Sequence, residues 1–339
     1  MMDLSVQYLG LELQNPLIVG SSGLTSSVKK IQEIEKNGAG AVVLKSIFEE
    51  EIAFEYTDFV QKESKGGEPP QFFEYDGRMN PIEFYDYKIR EDNLNRYTRL
   101  IQDSKKQTAI PVIASINCSH NSVEWISYAR RIEEAGADAL ELNMFFLPSS
   151  FERTAQETQG LYFKIIKKML ETVDIPVSLK ISPYFTDLGP MIQQLSRTGV
   201  KGLVLFNRFF SPDFDIDQFD IQPSFTFSTP SDLAVSLRWI AMMSERTDCD
   251  LAASTGIHDS ASLIKQILAG ANAVQAVSCL YKNGTGYIKT LLDGLEIWMH
   301  NKGFKQIADF RGKMSQAKSK DPALYERTQF MKYFGGKKM

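Results

Sequence analysis

Short apolar runs alternate with longer amphipathic stretches along most of the chain, and one phrase recurs where they join. A charged helical stretch ends at glycine, two or three residues follow, and an apolar run begins. The phrase is Glu35-Lys-Asn-Gly-Ala-Gly-Ala-Val-Val-Leu44, then Glu134-Ala-Gly-Ala-Asp-Ala-Leu-Glu-Leu142. It returns as Arg197-Thr-Gly-Val-Lys-Gly-Leu-Val-Leu205 and as Leu268-Ala-Gly-Ala-Asn-Ala-Val-Gln-Ala-Val277. Gly38, Gly136, Gly199 and Gly270 stand where a helix ends in a residue of positive φ. The Val- and Leu-rich runs after them suit parallel strands buried on both faces.

Extending the pattern predicts strands near 17–20, 41–45, 111–116, 139–143, 176–181, 202–207, 249–254 and 273–278. Helices are predicted near 26–37, 91–107, 123–135, 155–173, 187–198, 230–246, 259–269 and 284–300. Pro111 and Pro176 each open a strand, where a missing N–H does little harm. Alternating units of this kind predict an α/β fold, a (β/α)₈ TIM barrel occupying residues 1–312, with 313–339 as a C-terminal tail. An open doubly wound sheet is the alternative. Residues 3–16 alternate as a short hairpin that would cap the barrel. The insertions at 47–90 and 208–229 follow strands, so they belong at the C-terminal face as lids or binding loops.

Composition narrows the class of function. Apolar residues make up 43% and charged residues 24%, as in an ordinary globular protein. The net charge of −4 and the lack of a basic block count against a nucleic-acid surface. Three widely spaced cysteines, Cys118, Cys249 and Cys279, form neither a disulfide framework nor a metal pattern. With no apolar run near the length of a membrane span and no leader-like start, the expected location is the cytoplasm. A symmetric homodimer is compatible with the sequence.

In a barrel of this kind, polar residues at the C-terminal strand ends face the active site. Those ends supply Ser21, Ser22 and Gly23; Lys45 and Ser46; Asn117 and Cys118; Asn143; Lys180; Asn207; Ser254, Thr255 and Gly256; and Ser278 and Cys279. Any one of them could be a rim charge or a turn former, but here they converge. Lys45 and Lys180 end apolar strands, where an ammonium is costly without an anion. No strand end carries a carboxylate, so the expected partner is a bound anion. Small residues leading into helices after the last two strands suit a phosphate. A sugar-phosphate lyase or isomerase would satisfy these loops equally well.

The strand-end set resembles class 1 dihydroorotate dehydrogenases, and within them a dihydroorotate-dehydrogenase-like branch. The resemblance runs from Asn15-Pro-Leu-Ile-Val-Gly-Ser-Ser-Gly23 to Tyr281-Lys-Asn-Gly284. It is most specific at Leu44-Lys-Ser46, Leu142-Asn143, Leu179-Lys-Ile-Ser-Pro-Tyr184, Phe206-Asn207 and Ser254-Thr-Gly-Ile257. It implies an FMN-dependent oxidoreductase that moves a hydride between the flavin and a small pyrimidine-like substrate. By the resemblance, Ser21, Ser22, Lys45, Ser46, Asn117, Asn143, Lys180, Ser254, Thr255, Gly256, Ser278 and Cys279 hold FMN. Lys45, Asn143 and Asn207 contact the substrate, and Lys180 stabilises charge at the flavin pyrimidine edge.

The chain departs from the family pattern after the fourth strand. The family base, a Cys or Ser, is replaced by Phe146, and the second Asn of the motif by Pro148. Cys118 and Ser149 are the replacement bases to examine. Arg208 stands where the family has Ser, and Phe225-Thr-Phe-Ser-Thr-Pro230 replaces a glycine-rich segment. A different cyclic substrate, or a non-catalytic flavin- or nucleotide-binding subunit, is the rival reading. The electron acceptor stays open among fumarate, quinone and NAD through a partner subunit.

Overall fold

The computed structural model describes residues 2–47, 81–117, 124–144, 146–209, 211–222 and 226–326. Residues 48–80 of the expected 47–90 insertion, the candidate base Cys118 and residues 327–339 of the expected tail lie outside the described residues.

Eight parallel strands close into a barrel. They are β3 (Leu17–Val19), β4 (Ala41–Val43), β5 (Val112–Asn117), β6 (Ala139–Met144), β7 (Val177–Ile181), β8 (Gly202–Leu205), β11 (Asp250–Ser254) and β12 (Ala273–Ala276). They neighbour one another in that order, and β12 pairs back onto β3. The (β/α)₈ expectation is met, with each strand within a few residues of its predicted place. Gly38, Gly136, Gly199 and Gly270 have φ of 94°, 92°, 103° and 122°, the helix-ending geometry read from the repeated phrase.

Side chains alternate between two cores along each strand. Leu17, Val19, Leu140, Leu142, Leu203 and Leu205 face the surrounding helices. Ile18, Ala41, Val43, Ile113, Ala139, Val204, Ala252 and Ala273 fill the lower barrel interior together with Tyr8, Leu9 and Leu13. Those last three belong to an antiparallel hairpin, β1 (Val6–Tyr8) with β2 (Leu11–Leu13). Leu9 and Gly10 both take positive φ, 57° and 76°, as a two-residue turn of this hand requires. The Leu9 N–H donates to Asp250 Oδ2 at 2.8 Å. A Cβ on Gly202 would stand 2.5 Å from Leu9 Cδ2, so glycine makes room for this plug.

Higher in the barrel the inward residues become polar. Ser115, Glu141 and Ser178 share one rung across β5, β6 and β7, and Asn117, Asn143 and Lys180 share a later one, nearer the C-terminal end. The plug and the apolar lower interior thus support a polar mouth.

Three features differ from the sequence expectation. The helix expected over 91–107 runs Pro81–Gln107, with proline at its start where the missing N–H is harmless. The 208–229 insertion holds a hairpin of its own, β9 (Asp213–Asp215) with β10 (Asp220–Gln222). Residues 313–326 continue against the barrel: Met314 N–H donates to Leu268 O at 2.8 Å, and Arg246 donates to Gln316 Oε1 at 2.7 Å. Among the described residues, no helix is long and apolar enough to cross a membrane.

Candidate functional site

A cavity of about 180 Å³ opens at the C-terminal end of the barrel. Ser21, Lys180, Asn207, Ser254, Thr255, Gly256 and Ser278, all singled out from the sequence, line it together. Arg208, Thr226, Ser228, Ile257 and Gln275 complete much of its wall. A larger cavity of about 460 Å³ adjoins it, sharing Asn207, Arg208, Ser254 and Thr255 and adding Leu147, Tyr184 and Phe209.

The first wall is a chain of hydroxyls. Ser21 Oγ accepts from the Ser46 backbone N–H at 3.0 Å, and Ser46 Oγ lies 2.7 Å from Ser115 Oγ. This binds the loop after β3 to the loop after β4. Ser22 Oγ accepts from Leu24 N at 3.3 Å and donates to Gly20 O at 3.1 Å, so it caps the short turn that follows. Lys45 follows β4 in the chain and is half-buried.

A second wall is the loop after β11. Thr255 and Gly256 have successive φ of 79° and 80°. A Cβ on Gly256 would lie 2.1 Å from Leu233 N, so the loop is pressed against the start of helix Leu233–Met243. The Thr255 hydroxyl donates to Phe206 O at 3.1 Å. Ser278 Oγ accepts from Ser228 N at 3.0 Å, and Ser228 Oγ lies 3.1 Å from His258 Nε2. Burial, then the Lys282 ammonium, hold His258 below the usual histidine range. Ser278 begins the helix Ser278–Asn283 rather than ending a strand, which stops at Ala276. Cys279 is buried beneath it, and burial pushes its thiol up to about 11.

Asn207, Asn143 and Lys180 meet at the centre. Asn207 Nδ2 donates to Asn143 Oδ1 at 2.9 Å. Lys180 Nζ donates to Gln275 Oε1 at 2.8 Å, and Gln275 Nε2 donates to Glu141 Oε2 at 2.5 Å. Lys180 Nζ also stands 3.9 Å from Glu141 Oε1. The expectation that Lys180 lacks a carboxylate partner is therefore corrected. Glu141 sits two residues before the strand-end Asn143, one inward step deeper, so a survey of strand ends passes over it. The available signal was a Glu within the apolar run Ala139-Leu-Glu-Leu142 and a Gln within Ala273-Val-Gln-Ala276.

The loop after β6 is apolar where the resemblance implies a base. The Phe146 ring packs edge-on against Tyr162, centroids 5.2 Å apart, and Tyr162 in turn meets Phe185 at 5.3 Å. Ser149 is exposed, whereas Leu147 lines the larger cavity. Arg208 donates from Nη1 to Thr226 O at 2.9 Å and lies 3.8 Å from Asp232. It thereby ties the end of β8 to the far side of the insertion. Among the described residues, no group of three or more His, Cys, Asp or Glu could hold a metal ion.

The family model of dihydroorotate dehydrogenase matches residues 3–299. The chain belongs to the dihydroorotate dehydrogenase family. Within it, the chain is similar to the dihydroorotate dehydrogenase B (NAD(+)) catalytic subunit of Thermoplasma acidophilum, 27% identical over 319 residues that cover 92% of this chain and 99% of that protein. It is also similar to the chloroplastic dihydropyrimidine dehydrogenase (NADP(+)) of Arabidopsis thaliana, 25% identical over 330 residues covering 91% and 76%. A third relative is the NAD-dependent dihydropyrimidine dehydrogenase subunit PreA of Escherichia coli, 24% identical over 328 residues covering 91% and 76%. Both dihydroorotate and dihydropyrimidine dehydrogenases thus align over nearly all of this barrel.

Proposed function

We propose that this member of the dihydroorotate dehydrogenase family is an FMN-dependent oxidoreductase acting on a CH–CH bond of a small pyrimidine-like ring. The observation that carries the reading is the cavity that sets the Lys180 ammonium against a loop of small residues, Ser254–Ile257 and Ser278. A cation and close-approaching backbone suit the two ends of a flavin mononucleotide, its pyrimidine edge and its phosphate. The bound flavin supplies the hydride acceptor. Lys180 offsets negative charge at the flavin edge. Asn143 and Asn207, already joined to one another, orient the substrate amide groups with Lys45. Ser21, Ser22, Ser46, Asn117, Thr255, Gly256 and Cys279 complete the cofactor's surroundings.

The proton that leaves with the hydride needs an acceptor, and Phe146 has none to offer. Its packing against Tyr162 supports a second reading, a flavin-binding subunit without dihydroorotate chemistry. Purified protein decides between them. The expected result is a yellow protein, or uptake of added FMN, whose absorbance near the flavin band bleaches anaerobically with dihydroorotate or dihydrouracil. Bound FMN that neither substrate reduces supports the second reading, and absence of FMN binding overturns both. We further propose a cytoplasmic location, in keeping with the free Cys249 and Cys279, and a symmetric homodimer, checked by light scattering.

A further inference from the structure

We propose that Glu141 is a positioning residue for Lys180, acting through Gln275, and that these three side chains form a charged floor that fixes the ammonium's height beneath the cofactor. The inference rests on the FMN reading above.

The strand order sets Glu141 and Gln275 on opposite walls: β6 and β12 are four places apart in a ring of eight. Their hydrogen bond therefore crosses the barrel interior. Lys180, on β7 beside Glu141, joins it from the side. An ammonium only donates and a carboxylate only accepts, so one orientation of the Gln275 amide serves both. Its oxygen takes the Lys180 proton and its NH₂ gives to Glu141. Reversal would set NH₂ against ammonium and oxygen against carboxylate. The amide thus acts as an adaptor with one fixed polarity.

All three groups are nearly inaccessible: Glu141 is 1% exposed, Gln275 2% and Lys180 8%. A lone charge at that depth is costly, but a linked pair is neutral overall. Gln275 takes one of the three Lys180 donors, and Lys180 and Gln275 both line the cavity. The ammonium is therefore held against the cavity wall rather than drawn fully down onto Glu141. Ser178 shares the Glu141 rung, Tyr8 lies in the plug beneath, and Glu141 Oε1 is buried without a hydrogen bond. Burial, and then Glu141, hold the Tyr8 phenol well above its ordinary range. Among the described residues the cation paired with Glu141 is Lys180, so the attraction of the carboxylate acts on that ammonium.

A carboxylate so near the cofactor also makes the ammonium a weaker attractor of negative charge than it would be alone. Removing the charge while keeping the shape separates the two effects. The experiment uses the full chain with E141Q, E141D, K180Q and the E141Q/K180Q double variant. One measurement is the midpoint potential of bound FMN. The other is the thermal stability of each protein without added cofactor. Expected for E141Q is a positive shift in potential, equivalent to reduced FMN gaining affinity over oxidised FMN by on the order of tenfold. E141D, which keeps the charge on a shorter arm, stays nearer the parent protein. K180Q alone loses stability, and the double variant regains part of it.

An E141Q potential that stays put or moves negative overturns the proposal, even if the stabilities are coupled, because the pair is then only structural. Additive stabilities overturn it as well. A parent protein that binds no FMN overturns the FMN reading and this inference together. That failure is seen before any variant is made.

Discussion

The Asn207 side chain donates to Asn143 Oδ1 across 2.9 Å, joining the ends of two strands that are not neighbours in the barrel. Strand β7 lies between them and contributes Lys180. The two amides therefore present fixed polarity toward whatever occupies the mouth. Substitution N207A frees Asn143 to turn and removes one amide from the substrate wall. A buried hydrogen bond contributes about 1 kcal/mol and an orphaned partner costs more. The expected outcome is a KM about tenfold higher for a dihydropyrimidine substrate. N143A/N207A should be less harmful than the sum of the singles, because the two side chains share one bond. Steady-state kinetics on the three variants check this.

Gly256 gives a sharper steric forecast. Its φ of 80° and the 2.1 Å gap between a built Cβ and Leu233 N leave no room for a side chain. The G256A variant must shift the loop from helix Leu233–Met243. We expect a loss of about 2–3 kcal/mol in unfolding free energy and weaker FMN binding. Denaturant melts and FMN titration read the two effects separately.

His258 supplies a pH dependence. Its folded pKa is depressed by burial and by Lys282, whereas the unfolded chain titrates near the ordinary value. The neutral ring is thus favoured in the fold. Its contribution is present above the unfolded value, about 6.5, and is lost as pH falls through the lower folded value. The parent protein should lose stability below about pH 6.5 more steeply than H258N. NMR titration of the imidazole, one of three in the chain, gives the folded value directly.

Leu9 tests the lower plug. It is 1% exposed and packs in the lower interior core with Val43, Val204 and Ala252. L9A should cost about 2–5 kcal/mol. Because the polar rungs lie above this layer, FMN affinity should stay close to that of the parent protein. A melt paired with an FMN titration gives both values.

The barrel is legible in the sequence because one local grammar, a glycine-ended helix followed by a Val- and Leu-rich strand, recurs at Gly38, Gly136, Gly199 and Gly270. Strand ends then name half of the cavity wall, since Ser21, Lys180, Asn207 and Ser254 follow from counting to the end of each run. Glu141 and Gln275 escape that counting because their meeting is non-local, made by closure of the ring rather than by any spacing along the chain. Phe146 is visible as a departure, but its partner Tyr162 comes from the next helix, and only packing shows that the ring lies edge-on there. The hairpin at Asp213–Asp215 and Asp220–Gln222 is hidden by short strands dominated by aspartate, a poor strand former.

The hairpin of Tyr8, Leu9 and Leu13 has a consequence for traffic. With one end of the barrel stoppered by these side chains, the described residues leave the Lys180 wall open toward the C-terminal face. The stopper thereby makes the reaction face and the entrance face one and the same.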